Sequence, residues 1–368
     1  MVRHPPPARG DVTASPSAPG TAISLTRLPA LDGLRAVAIL AVILFHYKND
    51  WVPGGFIGVD LFFVLSGYVI TRSLRQEIDT SGSISLRSFY MRRAFRILPA
   101  LLVAVAGVIV LSAAAGQLSS RDLHAGLAVV TSTYNWFLAH ELLYGTDFVH
   151  LWSLSVEEQF YLLWPAAFLL LSKKRPSAVR PFLCAAICAS VCLSIYVSFE
   201  GTWQRAYFAS DTRAQAILIG CLLALGGTAA VPKRLLRAWP VPTLVFVAMA
   251  LTMDNHNSQM GLWGFTVAAI ASAWLVTVAV EGSERLPQQV LTSPVLQWLG
   301  RRSYSLFLWH FPIAQALALA GIRFWPWLAL LASLIVAELS YRLVEEPFIR
   351  KAARRRDAHV SMEAQAAP

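Results

Sequence analysis

LDGLRAVAILAVILFHYKND, residues 31–50, decides how this chain is read. Residues 31–47 make an apolar helical run long enough to enter a bilayer, with Asp32 and Arg35 near its start and His46 near its end. Asp50 follows His46 by four residues. An Arg or Asp at the centre of a membrane helix costs about 2.5–3.5 kcal/mol, so ionisable groups inside a span mark function. A histidine with a carboxylate one helical turn away is also the minimum equipment for moving a proton.

Working outward, the same character repeats. The chain has 368 residues, of which 56% are hydrophobic and 14% charged, with a mean hydropathy of +0.54. A soluble domain carries about 25% charged residues. Long apolar runs separated by short basic connectors predict an all-α, polytopic transmembrane helix bundle in a lipid bilayer. The net charge of +10 does not imply nucleic acid, because the basic residues are spread over many connectors and no nucleic-acid motif is present. Residues 1–29 are rich in Pro, Ser and Ala with no apolar core, which predicts a disordered tail rather than a signal peptide. The membrane domain is expected over 30–348 and a short basic tail over 349–368, with no soluble domain at either end and no internal repeat. Cys184, Cys188 and Cys192 recur every four residues. Without a nearby His or carboxylate they read as small packing residues at a helix interface rather than as a metal site, so no metal is expected.

Eleven apolar segments are candidate spans: 31–47, 56–71, 97–115, 123–139, 151–171, 181–199, 214–230, 239–253, 262–280, 303–320 and 326–344. Threading all eleven from an inner N-terminus places Lys173, Lys174, Arg175 and Arg180 outside, against the positive-inside rule. The segment 123–139 is the weakest, since it contains Thr131, Ser132, Thr133 and Asn135. Treating it as an outer loop or re-entrant segment leaves about ten spans with both termini cytoplasmic. Inner segments then hold 24 of the 31 Lys and Arg residues, and outer segments five, among them Arg213. This register puts Arg92, Arg93 and Arg96 at the inner face. It puts His46, Asp50 and His150 near the outer face, and Glu157, Glu158 and His310 within spans.

Four constellations could carry chemistry. In RSFYMRRAFRILPA (87–100), helical spacing places Arg93 with Arg96 and Arg92 with Arg96, and paired guanidinium forks match phosphate. An anionic-lipid anchor is the competing reading. In GGFIGVDLFFVLSGYVITR (54–72), Asp60 needs a partner, for which Arg35, His46 or a proton are the candidates; Ser66 and Gly67 permit close helix packing. In HLWSLSVEEQFYLLWP (150–165), His150, Ser153, Glu157 and Glu158 crowd one half of a span. Two adjacent carboxylates cannot both face lipid, although Ser153 and Glu157 could simply bond to each other. In GRRSYSLFLWHFP (300–312), Ser303 and Tyr304 precede His310 by about two helical turns, and Pro312 suggests a bend. A lone histidine on an apolar face is usually a satisfied core group, and His310 leans that way.

Taken together, LDGLRAVAILAVILFH, GGFIGVDLFFVLSGYVIT, the Arg93-x-x-Arg96 motif, LWSLSVEEQFYLLWP, DTRAQAILIGCLLA and LGRRSYSLFLWHFP resemble the acyltransferase 3 family of membrane O-acyltransferases, from about residue 28 to 348. The resemblance implies ten spans in the bacterial cytoplasmic membrane and a cytoplasmic acyl-CoA donor, acetyl-CoA by default. It also implies transfer to a hydroxyl of a carbohydrate or glycosylated acceptor. The family's first-span histidine falls on His46, its acidic residue on Asp50, its first-span arginine on Arg35, and its R-x-x-R motif on Arg93 and Arg96. The periplasmic hydrolase-like domain that some members carry is not expected here. A proton-coupled transporter of a small polar solute is the alternative that intramembrane His, Asp and Glu would suit, but the inverted repeats common in transporters are not found.

Overall fold

The computed structural model describes residues 28–48, 50–226, 228, 231–282, 284–322 and 324–354. The expected tail up to residue 27 and the basic tail from 355 onward lie outside these residues. The described residues form helices joined by short turns, with no strand among them. In chain order the α-helices are α1 (Pro29–Tyr47), α2 (Gly58–Ser81), α3 (Leu86–Ala114), α4 (Ser120–Val130), α5 (Tyr134–Ala139), α6 (Trp152–Lys174), α7 (Val179–Glu200) and α8 (Trp203–Phe208). They continue with α9 (Ser210–Gly226), α10 (Lys233–Leu236), α11 (Pro240–Thr252), α12 (Phe265–Glu281), α13 (Arg285–Leu291), α14 (Pro294–Arg301), α15 (Ser303–Leu319) and α16 (Trp325–Ser340).

Among the described residues, eight helical segments are long and apolar enough to cross a membrane. They include α1, the segment containing α2, α3, and the 30-residue run Trp325–Arg354 that contains α16. The last of these carries helix past the expected boundary at 348, where Arg350 pairs with Glu346 at 2.8 Å across one turn. α6, with Glu157, Glu158, Lys173 and Lys174, and the 17-residue α15 are the two further helices a ten-span reading uses. The doubtful segment 123–139 is no single helix: α4 and α5 are 11 and 6 residues long, and Ser132 between them takes a left-handed φ of 56°. Its polar residues have a use. Ser132 donates to Glu158, and Gln159 bonds the Ser132 carbonyl and the Asn135 side chain, so this hairpin is stitched to α6.

α2 is the centre of the bundle, and backbone contact with α9 fixes it there. A Cβ at Gly67 would collide with the Ile217 carbonyl, and one at Gly220 with the Val64 carbonyl, so only glycine permits this crossing. About two turns toward the N-terminal ends of both helices, Arg213 Nη2 donates to both oxygens of Asp60 at 3.0 Å, with both side chains 1% exposed. The guanidinium carbon also lies 3.6 Å over the Phe265 ring of α12. Asp60 therefore pairs with Arg213, not with Arg35 or His46, and Arg213 is buried in the bundle rather than lying in an outer segment. The helical register that follows Asp211 turns Arg213 inward, where the Asp60 charge compensates it.

The cysteine reading also changes. Cys184, Cys188 and Cys192 are exposed on α7. The opposite face of α7 makes the interface, where Ser190 donates to the Asp211 carbonyl at 2.6 Å and Ser194 to the Gly261 carbonyl at 2.8 Å. Serine suits that face because its short hydroxyl donates to main-chain carbonyls of the neighbouring helical segments.

Removing one partner of a buried ion pair strands the other charge, which costs about 3–5 kcal/mol, whereas replacing both can be nearly neutral. Arg213→Leu is expected to lower the SDS-unfolding midpoint sharply, and the double variant Asp60→Leu/Arg213→Leu to recover a large part of that loss.

Candidate active site

A cleft of about 680 Å³ opens between α1, α2, α3, α6 and α15. Its charged lining consists of Arg35, Arg93, Arg96 and Glu157, three guanidiniums against one carboxylate. That excess of positive charge in a helical bundle suits a polyanion. α3 supplies two of the arginines because its 29 residues, about 43 Å of helix, exceed the hydrocarbon core, so its first turns need not be apolar. Arg92, Arg93 and Arg96 of its opening turns do not act alike. Arg93 and Arg96 face the cleft, but Arg92 turns to Glu77 on α2 at 3.6 Å. Arg35 lines the cleft and lies 3.8 Å from Asp32, one turn back on α1.

The Glu157 carboxylate is held by two hydroxyl donors. Ser66 on α2 donates to Glu157 Oε1 at 2.9 Å, and Tyr161, one turn further along α6, donates to Oε2 at 2.7 Å. The Arg93 guanidinium stacks 3.9 Å over the Tyr161 ring, and its Nε is buried without a partner. Ser153 lines the cleft, but Glu157 takes its hydrogen bonds from Ser66 and Tyr161, not from Ser153. Glu158, next in sequence and about 100° around the helix, accepts from Ser132 at 3.2 Å instead. The two acids of this span thus have different environments. Ser303 and Tyr304 line the cleft from α15, and the Tyr304 hydroxyl donates to the Ile97 carbonyl at 3.0 Å, tying α15 to α3.

Three histidines gather beyond Phe307, which lines the cleft and lies 5.7 Å from the His150 ring. His46 Nδ1 is 3.1 Å from His310 Nε2. Phe311 packs between His46 and His150, 5.0 Å from each ring. Pro312 explains how His150 is placed. Lacking an N–H, it leaves the Leu308 carbonyl without its helical donor, and His150 Nε2 lies 3.3 Å from that oxygen. His150 Nδ1 is buried without a partner. His310 is buried with both ring nitrogens in contact, as a core histidine would be, and the partner of its Nε2 is the His46 ring.

Asp50 is not that partner. α1 ends at Tyr47, so the four-residue spacing no longer brings Asp50 over His46, and Asp50 lies exposed in the turn beyond. Tyr47 closes the helix differently. Its hydroxyl donates to the His310 carbonyl at 2.9 Å and meets Ser333 at 2.8 Å, fixing the C-terminal end of α1 against α15 and α16. Arg35 and His46 are eleven residues apart on one helix, about 16 Å along α1.

Sequence reasoning passed over Tyr161, Phe307, Phe311 and Glu345. Tyr161 could have been found, since it stands one turn from Glu157. Glu345 is 3% exposed and accepts from Ser305, and a carboxylate late in an apolar run is a signal of the same kind as Glu157. The two phenylalanines carry no such signal.

A family model described as an acyltransferase domain, acyltransferase 3, matches residues 28–339. The peptidoglycan O-acetyltransferase OatA of Listeria monocytogenes is 33% identical over 357 residues, covering 90% of this chain and 57% of that protein. The O-acetyltransferase OatA of Staphylococcus aureus is 32% identical over 347 residues, covering 88% of this chain and again 57% of the relative. The chain thus spans a little over half the length of these curated relatives. No solved structure matches it.

Leaving a buried acceptor without its donor costs about 1–3 kcal/mol. Ser66→Ala is expected to destabilise the bundle by that amount in SDS unfolding. Tyr161→Phe should do so comparably while preserving the ring beneath Arg93.

Proposed function

The chain belongs to the acyltransferase 3 family, and from that premise we propose that it is an integral membrane O-acyltransferase. It moves an acyl group, by preference acetyl, from cytoplasmic acyl-CoA to a hydroxyl of a carbohydrate-containing acceptor. The observation that carries this reading is the pairing of an arginine-lined cleft with a histidine cluster further along the same helix. The glycan of peptidoglycan, which the name of the Listeria relative specifies for that protein, is the first acceptor to test.

Arg35, Arg93 and Arg96 hold the 3′-phosphate and pyrophosphate of coenzyme A, since guanidinium forks match phosphate oxygens and Tyr161 orients the Arg93 fork. The pantetheine arm runs from the arginines past Phe307 toward His46. His46 removes the proton of the attacking hydroxyl as its oxygen closes on the thioester carbonyl. A hydroxyl donor on α6, Ser153, is the candidate to stabilise the oxyanion. We assign both termini and the arginine cleft to the cytoplasmic side of a bacterial inner membrane. With the buried Arg213 taken out of the outer set, the 24-to-four partition of Lys and Arg supports that orientation. Donor on one side and glycan on the other then require transfer through the bundle.

General-base removal costs about 10²–10⁴-fold, so His46→Ala should lose turnover on that scale with donor binding retained. Near-normal transfer by that variant would refute the base. Arg93→Ala and Arg96→Ala should raise the KM for acetyl-CoA. In proteoliposomes, coenzyme A release should depend on an added peptidoglycan fragment. Solute counterflow without acetyl-CoA would favour transport instead.

A further inference from the structure

His310 is fully buried at 0% exposure, and its two ring nitrogens have different company. Nδ1 lies 3.0 Å from the Leu306 carbonyl and 2.9 Å from the Phe307 carbonyl. Carbonyl oxygens only accept, so Nδ1 carries the hydrogen. The rings of His46 and His310 sit among Phe45, Phe307 and Phe311, with no carboxylate bound to either among the described residues. An aromatic surrounding without a counter-charge holds neutral imidazoles. Nε2 of His310 is then a bare acceptor. His46 Nδ1, 3.1 Å away, must supply the hydrogen of that contact. That contact puts the hydrogen of His46 on Nδ1 and leaves its Nε2 without one.

We propose that His310 is the positioning residue for His46, fixing the tautomer in which Nε2 is the proton-accepting atom. This rests on the reading of His46 as the base. The role usually filled by a carboxylate passes here to a second imidazole, itself set by two main-chain carbonyls of α15. Tyr47 reinforces it, since the residue next to His46 donates to the main-chain carbonyl of His310. Two adjacent residues of α1 thus grip one residue of α15. In the reaction, the acceptor O–H bond breaks and its proton moves to His46 Nε2 as the new C–O bond forms. The C–S bond of the thioester then breaks, and the imidazolium returns the proton to the departing thiolate, releasing coenzyme A as the thiol. His310 keeps its own proton throughout and only accepts from His46 Nδ1.

The test has two arms on the full chain in liposomes. The first reads the tautomer directly, by solid-state 15N NMR of histidine-labelled protein, with His46→Gln identifying the His46 signals. Wild-type His46 should be protonated at Nδ1, and His310→Phe should give a mixture of tautomers. A wild-type His46 protonated at Nε2 overturns the proposal whatever the enzyme's activity. The second arm measures transfer from acetyl-CoA to a soluble peptidoglycan fragment. His310→Phe should lower kcat by about 10²-fold, within the range of general-base help, while the acetyl-CoA KM stays near its wild-type value. His310→Gln, which restores an acceptor near the Nε2 position, should recover most of that loss. Equal losses in the Phe and Gln variants, at equal unfolding midpoints, would reduce His310 to a packing residue. Retained transfer in His46→Ala would sink the base itself, an outcome the tautomer measurement does not depend on.

Discussion

The buried Asp60–Arg213 pair is the constraint on which the rest of the bundle depends. It joins α2 to α9 in a region where an unpaired charge would be untenable, and the Phe265 ring beneath the guanidinium brings in α12. The Gly67 and Gly220 contacts let the two backbones touch about two turns further on, so α2 has little freedom to slide or rotate. Ser66 neighbours Gly67 and therefore inherits that rigidity. Through Ser66 the pair reaches Glu157, through Glu157 it reaches Tyr161, and through Tyr161 the Arg93 guanidinium. A charge pair outside the cleft is thus linked by contacts to a guanidinium within it.

The second organising feature is length. α1 carries Arg35 at one station and His46 at another about 16 Å away, with Phe307 between the cleft and the histidines. The separation suits a donor whose charged end and reactive end are far apart. It also keeps the guanidiniums away from the imidazoles. Missing main-chain donors shape the site as well. Pro312 frees a carbonyl that His150 takes up, while His310 is set by the carbonyls of Leu306 and Phe307.

Much of this was legible in the sequence. Apolar runs and basic connectors gave the all-α membrane bundle. The polar residues of 123–139 marked that segment as unlike a span, and helical spacing grouped Arg93 with Arg96. His46, Arg35, Ser66 and Glu157 stood out because polar groups are costly in a span. Pairing between spans was a different matter. Asp60 offered three plausible partners and took a fourth, Arg92 left its group for Glu77, and the cysteine stripe faced outward while serines made the contact.

The sequence by itself determined which helices form and which of their residues are too polar to face lipid, because both follow from periodicity and local transfer cost. The tertiary structure alone decided which polar group meets which. That depends on the rotation of each helix about its axis and on where each helix stops. α1 stops at Tyr47, so Asp50 cannot reach back to His46, and the ring that meets it comes from 264 residues further along the chain.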